Sequence, residues 1–534
     1  MIKASTAYDY IIVGAGSAGC VLAERLSRDP AVTVLVLEAG GGDDSLLIRN
    51  PMLMGQAIQS SRFNWHYETT PQPHLNDRRL YWPRGRVVGG SSAINAMHYI
   101  RGAPENYDEW RDAYGADGWG WDDALPAFMQ VEHQTRGATP HHGDAGPLTV
   151  QDIAPLNPLT HAFFAAGEAL GHPLNTDFNG PEQRGFGPYQ VTQRGNQRWS
   201  AADAFLKPAL GRHNLTLKTG AQAGRLLMDG ARAAGVEVLS GNGRLAFDAR
   251  REVILAGGAI NSPQLLQLSG IGDADWLRAA GVSPVVDLPG VGRNLQDHLD
   301  ITAQIETRSA VSEGLSLAAL PRWTRAALAA MAGRPSLFST NPIQGGAFIS
   351  SSLAGALPDL QLVFTPALAA PHGRKLPLGH GATLHACILY PKSRGEVRIL
   401  SDDPRAHPAI DPAYLRAPED LDVMVDGLLA IRNILGARAF DFDRKRETLP
   451  GPKFTTRSDL ADDVRARAET LYHPVGTCSM GRGELAVVDP QLRVRGVRNL
   501  RVVDASVMPR LIGGNTNAPT MMIATRAADM ILAE

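Results

Sequence analysis

The sequence predicts an α/β fold in two domains, one built on a β-α-β unit and one built on an antiparallel sheet with helices. The short apolar runs 10–13 and 33–37 flank a stretch with helical period, which indicates two strands joined through a helix. Between about 311 and 470, short strands such as 360–364 and 395–399 are followed by a helical stretch over 420–435. That order favours a separate domain with an antiparallel sheet.

The turn after the first strand reads G-x-G-x-x-G, from Gly14 through Gly16 to Gly19, and Ser17 lies inside it. Gly14 allows a tight turn, Gly16 removes the Cβ that would block a pyrophosphate, and Gly19 lets the helix pack closely on the strand. Glu38 ends the second strand about 20 residues after the turn, where its carboxylate suits a ribose 2′-hydroxyl and would repel a 2′-phosphate. Together these positions predict a Rossmann-type dinucleotide site.

The chain has 534 residues, which exceeds what one hydrophobic core normally supports, so two domains that share one ligand cleft are expected. Short strands return at 215–218 and 253–256, and the run 500–504 is another strand that ends in an acid. The nucleotide domain is therefore expected to be discontinuous. The predicted nucleotide domain comprises 1–155, 190–310 and 471–534, and the predicted substrate domain comprises 156–189 and 311–470.

Composition limits the classes of partner and compartment. The formal net charge is -2, with charges of both signs scattered along the chain, and this excludes a nucleic-acid partner. Three cysteines, far apart and odd in number, favour a reducing compartment over a disulfide framework. The sequence has no signal-peptide pattern and no apolar stretch of about 18 residues, so a cytoplasmic protein is expected.

One segment leaves two interpretations open. Residues 321–331 have the pattern of a short, basic, amphipathic helix. Such a helix can rest on a membrane, which here would be a peripheral contact at the inner face. The alternative is a helix packed over the substrate cleft with its arginines in water, and we favour that alternative.

Four further motifs lie in the runs 85–95, 258–272, 472–478 and 514–519. In this order they resemble the signatures of the glucose-methanol-choline (GMC) oxidoreductase family, and the chain is most similar to its bacterial flavin alkanol dehydrogenases and then to its choline dehydrogenases. The resemblance implies an FAD cofactor and an alcohol substrate. Besides the turn residues and Glu38, it implies FAD contacts from Arg86, Gly90, Ser91, Asn95, Ala96, Gly257, Asp504, Asn515 and Thr516.

Oxidation of an alcohol requires loss of the hydroxyl proton and of a hydride from carbon, which flavin N5 can accept. Histidine has the side chain whose pKa lies nearest the working pH, and Pro474 biases His473 away from helical angles, so His473 is the predicted base. Relatives have a second His or Asn opposite the base, and the matching position is Asn517, whose amide would donate to the alkoxide oxygen. The run 518–524 begins a predicted helix, with Pro519 in its first turn and its positive dipole end near the flavin.

Three features of the sequence bear on the flavin linkage, the substrate charge and a metal site. Ile94 stands where some relatives have a histidine bonded covalently to the flavin, so the FAD is expected to be non-covalent. Glu306 matches, by counting, the acid that binds trimethylammonium in choline enzymes; it either binds a cationic alcohol or forms a surface ion pair, and we favour the ion pair. The adjacent His141 and His142 lack supporting Cys or acid spacing, so no metal is expected.

The favoured function is FAD-dependent oxidation of a primary alcohol to the aldehyde, with electrons passed to a quinone or another carrier. The alternatives are an oxidase that releases hydrogen peroxide, a choline-type dehydrogenase, and a non-redox use of the fold as in hydroxynitrile lyases. A nicotinamide dehydrogenase is the weakest alternative, because it leaves the run 89–92 and His473 unexplained. Trp323, Phe364 and Tyr390 favour an apolar alcohol as the substrate.

Overall fold

A computed structural model provides the structure of the protein and describes residues 6–240, 243–334, 336–370 and 377–534. Its two largest sheets have seven strands each. The strands of the first sheet, in spatial order, are Leu215–Lys218, Val34–Leu37, Thr6–Val13, Gly243–Leu255, Arg232–Ser240 and Gln222–Asp229, with Leu500–Val502 added on Gly243–Leu255.

The first sheet is organised around the strand Thr6–Val13. This strand pairs in parallel with Val34–Leu37 on one side and with Gly243–Leu255 on the other, and its second half is buried. The helix Ser17–Leu26 follows it after the glycine turn, so the predicted β-α-β unit is confirmed. Leu500–Val502 pairs in parallel with Gly243–Leu255, which returns the C-terminal segment to the sheet that begins the chain.

The second sheet is antiparallel at every pairing, as the sequence predicted. The predicted helix at 420–435 is present as Pro418–Gly436 and contacts this sheet. The strands of the second sheet, in spatial order, are Arg444–Leu449, Leu299–Thr307, Gly381–Ile388, Leu360–Thr365, Gly345–Ile349 and Gly185–Pro188, with Glu469–Thr470 added on Leu299–Thr307.

Two strands lie elsewhere than the sequence suggested. Leu299–Thr307 falls within the segment 190–310 that was predicted to belong to the nucleotide domain, yet it pairs with Gly381–Ile388 in the second sheet. Gly395–Arg398 is a strand as expected, but it belongs to a separate three-stranded sheet. Both placements have one cause, because the partner of a strand is set by residues far away in the chain and not by its own apolar pattern, and the domain bounds stay a prediction.

The remaining elements connect and cover these sheets. The other helices of six or more residues are Pro104–Tyr114, Trp121–Val131, Pro158–Ala169, Gly258–Leu268, Ala274–Ala279, Leu320–Met331, Arg457–Arg467 and Asn517–Leu532. The shorter helical turns are Leu46–Arg49, Pro51–Leu53, Met54–Ala57, Pro73–Leu75, Gly90–Ala93, Ala202–Leu206, Lys207–Ala209, Leu317–Ala319, Leu337–Ser339, Arg438–Phe440 and Ala505–Val507. The smaller strands are Tyr67–Glu68, Tyr81–Trp82, Glu132–Gln134, Leu148–Asp152, Gln190–Val191, Gln193–Arg194, Gln197–Arg198, Ile271–Gly272, Val286–Asp287, Arg293–Leu295 and Ala409–Asp411.

The predicted amphipathic helix is present as Leu320–Met331. One detail was wrong, because Arg322 does not lie free in water: its guanidinium is partly buried and donates to the carbonyls of Ala310 and Val311 at 3.0 and 3.2 Å. The arginine thus supplies a donor to two carbonyls of the preceding loop, and the carbonyl of Val311 also accepts from Nδ2 of Asn157 at 3.0 Å. Arg322 therefore fastens the helix to the protein, whereas Arg325 is exposed.

Two observations concern the expected compartment. Cys20, Cys387 and Cys478 are buried and none of them forms a disulfide. Within the described ranges, no helix is both long enough and apolar enough to cross a membrane.

Candidate active site

One cavity of about 830 Å³ begins at the glycine turn and extends to the loops of the second domain. Its wall combines residues from both ends of the chain. The predicted site residues that line it are Gly14, Gly16, Ser17, Glu38, Gly90, Ser91, Asn95, Ala96, Gly257, His473, Asp504, Asn515, Thr516 and Asn517. Gly19 and Arg86, which were also predicted to contact the cofactor, do not line the cavity.

The glycines of the turn differ in what surrounds them. A Cβ on Gly14 would lie 2.5 Å from the carbonyl oxygen of Ala256, and its φ of +108° favours glycine. A Cβ on Gly19 would lie 1.8 Å from the carbonyl oxygen of Gly14, so Gly19 serves the packing of the helix on the strand. A Cβ on Gly16 would meet no protein atom closer than the Cα of Gly90 at 3.9 Å. The space beside Gly16 is therefore cavity, which fits the pyrophosphate of a dinucleotide.

Glu38 holds the turn as well as lining the cavity. One carboxylate oxygen accepts from the backbone N–H of Ala15 at 3.0 Å and the other from that of Gly40 at 2.8 Å. Burial raises the pKa of Glu38 to about 7, although the two N–H donors oppose that shift. Arg86 lies behind the wall with its guanidinium over the ring of Trp65, and its charge lowers the pKa of Glu38.

His473 is held in place through its backbone. The N–H of His473 donates to the carboxylate of Asp297 at 2.6 Å, and that buried carboxylate also accepts from the hydroxyls of Thr470 and Tyr414. Tyr472, the residue before it, has a φ of +70°, which bulky residues rarely adopt. Strained backbone of this kind concentrates at functional sites, where the surrounding structure imposes it.

The ring of His473 lies at the end of a chain of hydrogen bonds. Nε2 of His298 lies 3.1 Å from the carbonyl oxygen of Leu389, which only accepts, so Nε2 carries the hydrogen. Nδ1 of neutral His298 is then an acceptor, and it lies 2.9 Å from Nδ1 of His473. His473 therefore donates through Nδ1, and its Nε2 carries the lone pair of the ring and acts as an acceptor.

Both rings are buried, and this supports the neutral forms that the hydrogen bonds require. Desolvation lowers the pKa of His298 to about 4. Desolvation also lowers the pKa of His473 well below its usual value, and the nearby His298, Arg84 and His98 lower it further. His473 is therefore an unprotonated imidazole at neutral pH, with Nε2 as its basic atom.

The amide that contacts Nε2 of His473 in this structure is that of Asn515, whereas Asn517, the predicted partner of the base, lines the same cavity without this contact, and its role stays a prediction. The amide Nδ2 of Asn515 lies 3.1 Å from Nε2 of His473. Its Oδ1 accepts from Nε2 of Gln361 at 3.1 Å, which fixes the orientation of the amide. Asn517 instead accepts from the hydroxyl of Ser17 at 2.7 Å. The two asparagines are two positions apart where a helix starts, and only the backbone path at that point decides which one faces the histidine.

The C-terminal helix Asn517–Leu532 begins at the cavity wall, as predicted. Its N-cap residue Thr516 makes no side-chain cap hydrogen bond, and Thr520 in the first turn also lines the cavity. Asp504, by contrast, has its donors supplied by the protein: it accepts from the N–H groups of Gly258 and Ser506, each at 2.8 Å. The wall thus combines a positive helix end with a carboxylate that is already saturated.

Predictions for the substrate side are partly corrected. Trp323 lines the cavity, but Phe364 is buried and stacks on Phe163 at 4.8 Å, and Tyr390 accepts from Asn106 at 3.0 Å, away from the wall. Both aromatic side chains serve packing. Three further residues lie near His473, namely His98, His298 and Arg84, and their spacing from it in the chain gave no signal. Only the fold brings them together.

Two polar features lie outside the site. Glu306 pairs with Arg446 at 2.9 Å and Lys445 at 3.3 Å on the surface, as favoured from the sequence. His142 lies between the carboxylates of Glu132 and Asp177, at 3.0 and 2.9 Å. In the part of the chain that the structure describes, no group of three or more His, Cys, Asp or Glu side chains is arranged to hold a metal ion.

Known proteins resemble this chain over nearly its whole length. Two GMC oxidoreductase profiles match the chain, one over residues 8–300 and one over 391–524. An alcohol dehydrogenase (acceptor) of Pseudomonas putida is 47% identical over 528 residues, covering 98% of this chain and 96% of that protein. An oxygen-dependent choline dehydrogenase of Burkholderia pseudomallei (strain 1710b) is 44% identical over 531 residues, covering 98% and 93%.

Among solved structures, pyridoxine 4-oxidase from Mesorbium loti superposes with a TM-score of 0.90 at 35% sequence identity, covering 99% of both chains. The FAD cofactor and the enzyme class expected from the motifs are confirmed by these relatives. The turn at Gly16 and the carboxylate of Glu38 fit the dinucleotide part of FAD. The chain therefore belongs to the GMC oxidoreductase family and is an FAD-dependent oxidoreductase.

Proposed function

We propose that the protein oxidises a primary alcohol to the aldehyde. The observation that carries this proposal is the position of His473 in the wall of a cavity able to hold FAD, with Nε2 as an acceptor whose partner is the amide of Asn515. Bound FAD supplies a hydride acceptor at N5. The proton and the hydride must leave the alcohol by different routes, and His473 offers the route for the proton.

Different residues of the site accept the proton of the alcohol, stabilise its oxygen and orient the base. The alcohol hydroxyl takes the place of the Asn515 amide at Nε2 of His473 and donates its hydrogen there, and Nδ2 of Asn515 then donates to the hydroxyl oxygen. As the proton moves to Nε2, the developing negative charge on oxygen is stabilised by that amide. Asp297, through the backbone N–H of His473, and His298, through Nδ1, keep the ring in this orientation. The aldehyde then leaves, and the proton on His473 returns to solvent.

A titration of the oxidised holoenzyme with primary alcohols under anaerobic conditions tests the proposal. We expect the visible absorbance of the flavin to bleach with an apolar primary alcohol. A protein that binds alcohols and never bleaches would contradict the proposal and favour a non-redox use of the fold.

We propose a quinone or another carrier as the electron acceptor. Support comes from the Pseudomonas putida relative, whose name specifies an acceptor. The main alternative is an oxidase, since a similar solved structure is named an oxidase at 35% identity. Dye reduction that exceeds peroxide formation under air would favour the carrier, and equal rates of oxygen consumption and alcohol oxidation would favour the oxidase.

A choline-type substrate is the second alternative, because a relative at 44% identity is named a choline dehydrogenase. The one acid that the sequence offered for a trimethylammonium group, Glu306, is engaged by two basic side chains on the surface. We therefore favour an uncharged alcohol, and choline belongs in the same anaerobic titration as the competing substrate.

FAD is proposed to be held without a covalent bond, because Ile94, which lines the cavity, cannot form one. Acid precipitation should release the flavin into the supernatant, and flavin that stays with the precipitated chain would contradict this.

We also propose that 471–534 belongs to the nucleotide domain, because Leu500–Val502 pairs in the first sheet.

Peripheral contact with a membrane also remains a proposal. The outer surface of the helix Leu320–Met331 exposes Leu328 and Met331 beside Arg325, which suits an anionic lipid surface. Flotation with anionic vesicles at low salt tests it, and a protein that stays at the bottom of the gradient would remove the idea.

A further inference from the structure

Glu313 is a buried acid in the cavity wall that the proposed reaction does not use. It lies in the loop between the strand Leu299–Thr307 and the helix Leu320–Met331, and it is 7% exposed. Oε1 accepts from Nε2 of Gln344 at 2.8 Å. Oε2 is buried and has no hydrogen-bond partner among the described residues.

Gln344 explains why only one carboxyl oxygen is engaged. Its Oε1 accepts from the backbone N–H of Asn157 at 2.7 Å and from the hydroxyl of Thr160 at 2.8 Å. These two donors fix the amide, so its Nε2 must point to Glu313. The carboxyl group is therefore held firmly on one side while its other oxygen is left for something that enters the cavity.

The walls around Glu313 are apolar and fixed. Trp323 and Phe338 line the same cavity and contact each other edge to face, with ring centroids 5.6 Å apart. The indole N–H of Trp323 donates to the carbonyl of Gly314 at 3.1 Å, which orients the ring. A buried polar atom in such a wall is costly unless a ligand or a water molecule satisfies it.

Charge around Glu313 argues against a cationic ligand. Burial raises the pKa of Glu313 to about 8, so the group is mostly a neutral carboxylic acid at pH 7. The guanidinium of Arg322 donates to the carbonyls of Ala310 and Val311, two and three residues before Glu313 in the same loop, and its charge lowers the pKa of Glu313. A second cation would have to enter against this charge, whereas a neutral hydroxyl would not.

We propose that Glu313 recognises a neutral hydrogen-bonding group, such as a second hydroxyl, at the end of the alcohol remote from the carbon that is oxidised. This inference rests on the proposed function and specifies its substrate class: diols and hydroxy-alcohols with an apolar middle. The base end of the cavity holds the reacting hydroxyl, the aromatic wall holds the apolar middle, and Oε2 of Glu313 takes the far end.

The test compares anaerobic flavin reduction by α,ω-diols and by n-alkanols of matched length, across increasing lengths, in the holoenzyme and in Glu313→Leu and Glu313→Gln. At the best length we expect the wild type to prefer the diol by about 10-fold in kcat/KM, as one buried hydrogen bond allows. Glu313→Leu should lose that preference through KM, and Glu313→Gln, which still offers a donor and an acceptor, should keep most of it. Glu306→Gln, a surface acid, is the matched control and should change nothing.

A diol preference that is absent at every length, or that survives in Glu313→Leu, would overturn the inference. A preference for ω-amino alcohols over diols would overturn the neutral class. These failures differ from failure of the proposed function, because n-alkanols would still bleach the flavin in all variants. An enzyme that no alcohol reduces would instead remove the proposed function itself.

Discussion

The two sides of the cavity differ in how their polar atoms are satisfied. On the dinucleotide side, Glu38 and Asp504 accept hydrogen bonds from the protein itself. We call this side, which comprises Gly14, Gly16, Ser17, Glu38 and Asp504, the cradle, and it is formed before FAD enters. On the substrate side, Oε2 of Glu313 has no partner among the described residues, and Nε2 of His473 meets only the amide of Asn515 among them. The dinucleotide side is thus preformed, whereas the proposed contacts to the alcohol come from an oxygen without a partner and a nitrogen with a single one.

Removing the base, His473, should give the largest loss of activity. In His473→Ala we expect flavin reduction by alcohol to slow by about 10²- to 10⁴-fold, the usual contribution of a positioned general base. FAD content should not change, because the cradle does not depend on this ring. Stopped-flow reduction under anaerobic conditions measures the rate, and a variant as fast as the wild type would end the assignment of His473 as base.

The cradle can be broken separately from the fold. In Gly16→Ala the new methyl group meets no protein atom closer than 3.9 Å, so the chain should fold normally while the methyl occupies space meant for the pyrophosphate. We expect FAD affinity to fall by roughly 10- to 100-fold, the cost of moderate overpacking. Fluorescence titration of the apoprotein with FAD measures it.

Gly14→Ala is the comparison variant for that experiment. Its Cβ would lie 2.5 Å from a backbone carbonyl oxygen, so it should lower the free energy of unfolding as well as FAD affinity. If Gly16→Ala bound FAD as tightly as the wild type, the space beside Gly16 would not be the pyrophosphate site.

Substitutions of Asn515 and Asn517 test the substrate side and the dinucleotide side of the cavity separately. Asn515→Ala should slow flavin reduction by roughly 10-fold, since it removes one donor to the alkoxide oxygen. Asn517→Ala should leave the reduction rate nearly unchanged and weaken FAD binding slightly, because it removes the partner of the Ser17 hydroxyl in the cradle. The same rate and FAD measurements decide between them, and the reverse pattern would support Asn517 as the residue opposite the base.

The sequence predicted the cradle better than the substrate side, and the reason is physical. The functions of Gly14, Gly16 and Glu38 depend on a strand, a turn and a helix that follow one another in the chain, so local pattern carries them. The pairing of His473 with His298 spans 175 positions in the chain and depends on the fold. Glu313 carries no motif at all, and its importance appears only from its burial and its unpartnered oxygen.

The pH dependence of alcohol oxidation gives the smallest expected effect and the finest comparison. His473 acts as base only when unprotonated, and burial together with the charges of Arg84 and its neighbours His298 and His98 holds its pKa well below 6.5. Because the pKa of His473 is lowered, the ring becomes protonated only when the pH falls close to that lowered pKa. Activity should therefore persist down to pH 6.5. We expect kcat/KM for an n-alkanol, which has no second hydroxyl for Glu313, to change less than about 2-fold between pH 8 and 6.5 and to fall only at more acidic pH, when FAD is in excess so that the titration of Glu38 near pH 7 does not limit cofactor binding. A profile that loses half its value near 6.5, the value of an unperturbed histidine, would show that the buried, neutral pair of rings does not control the base.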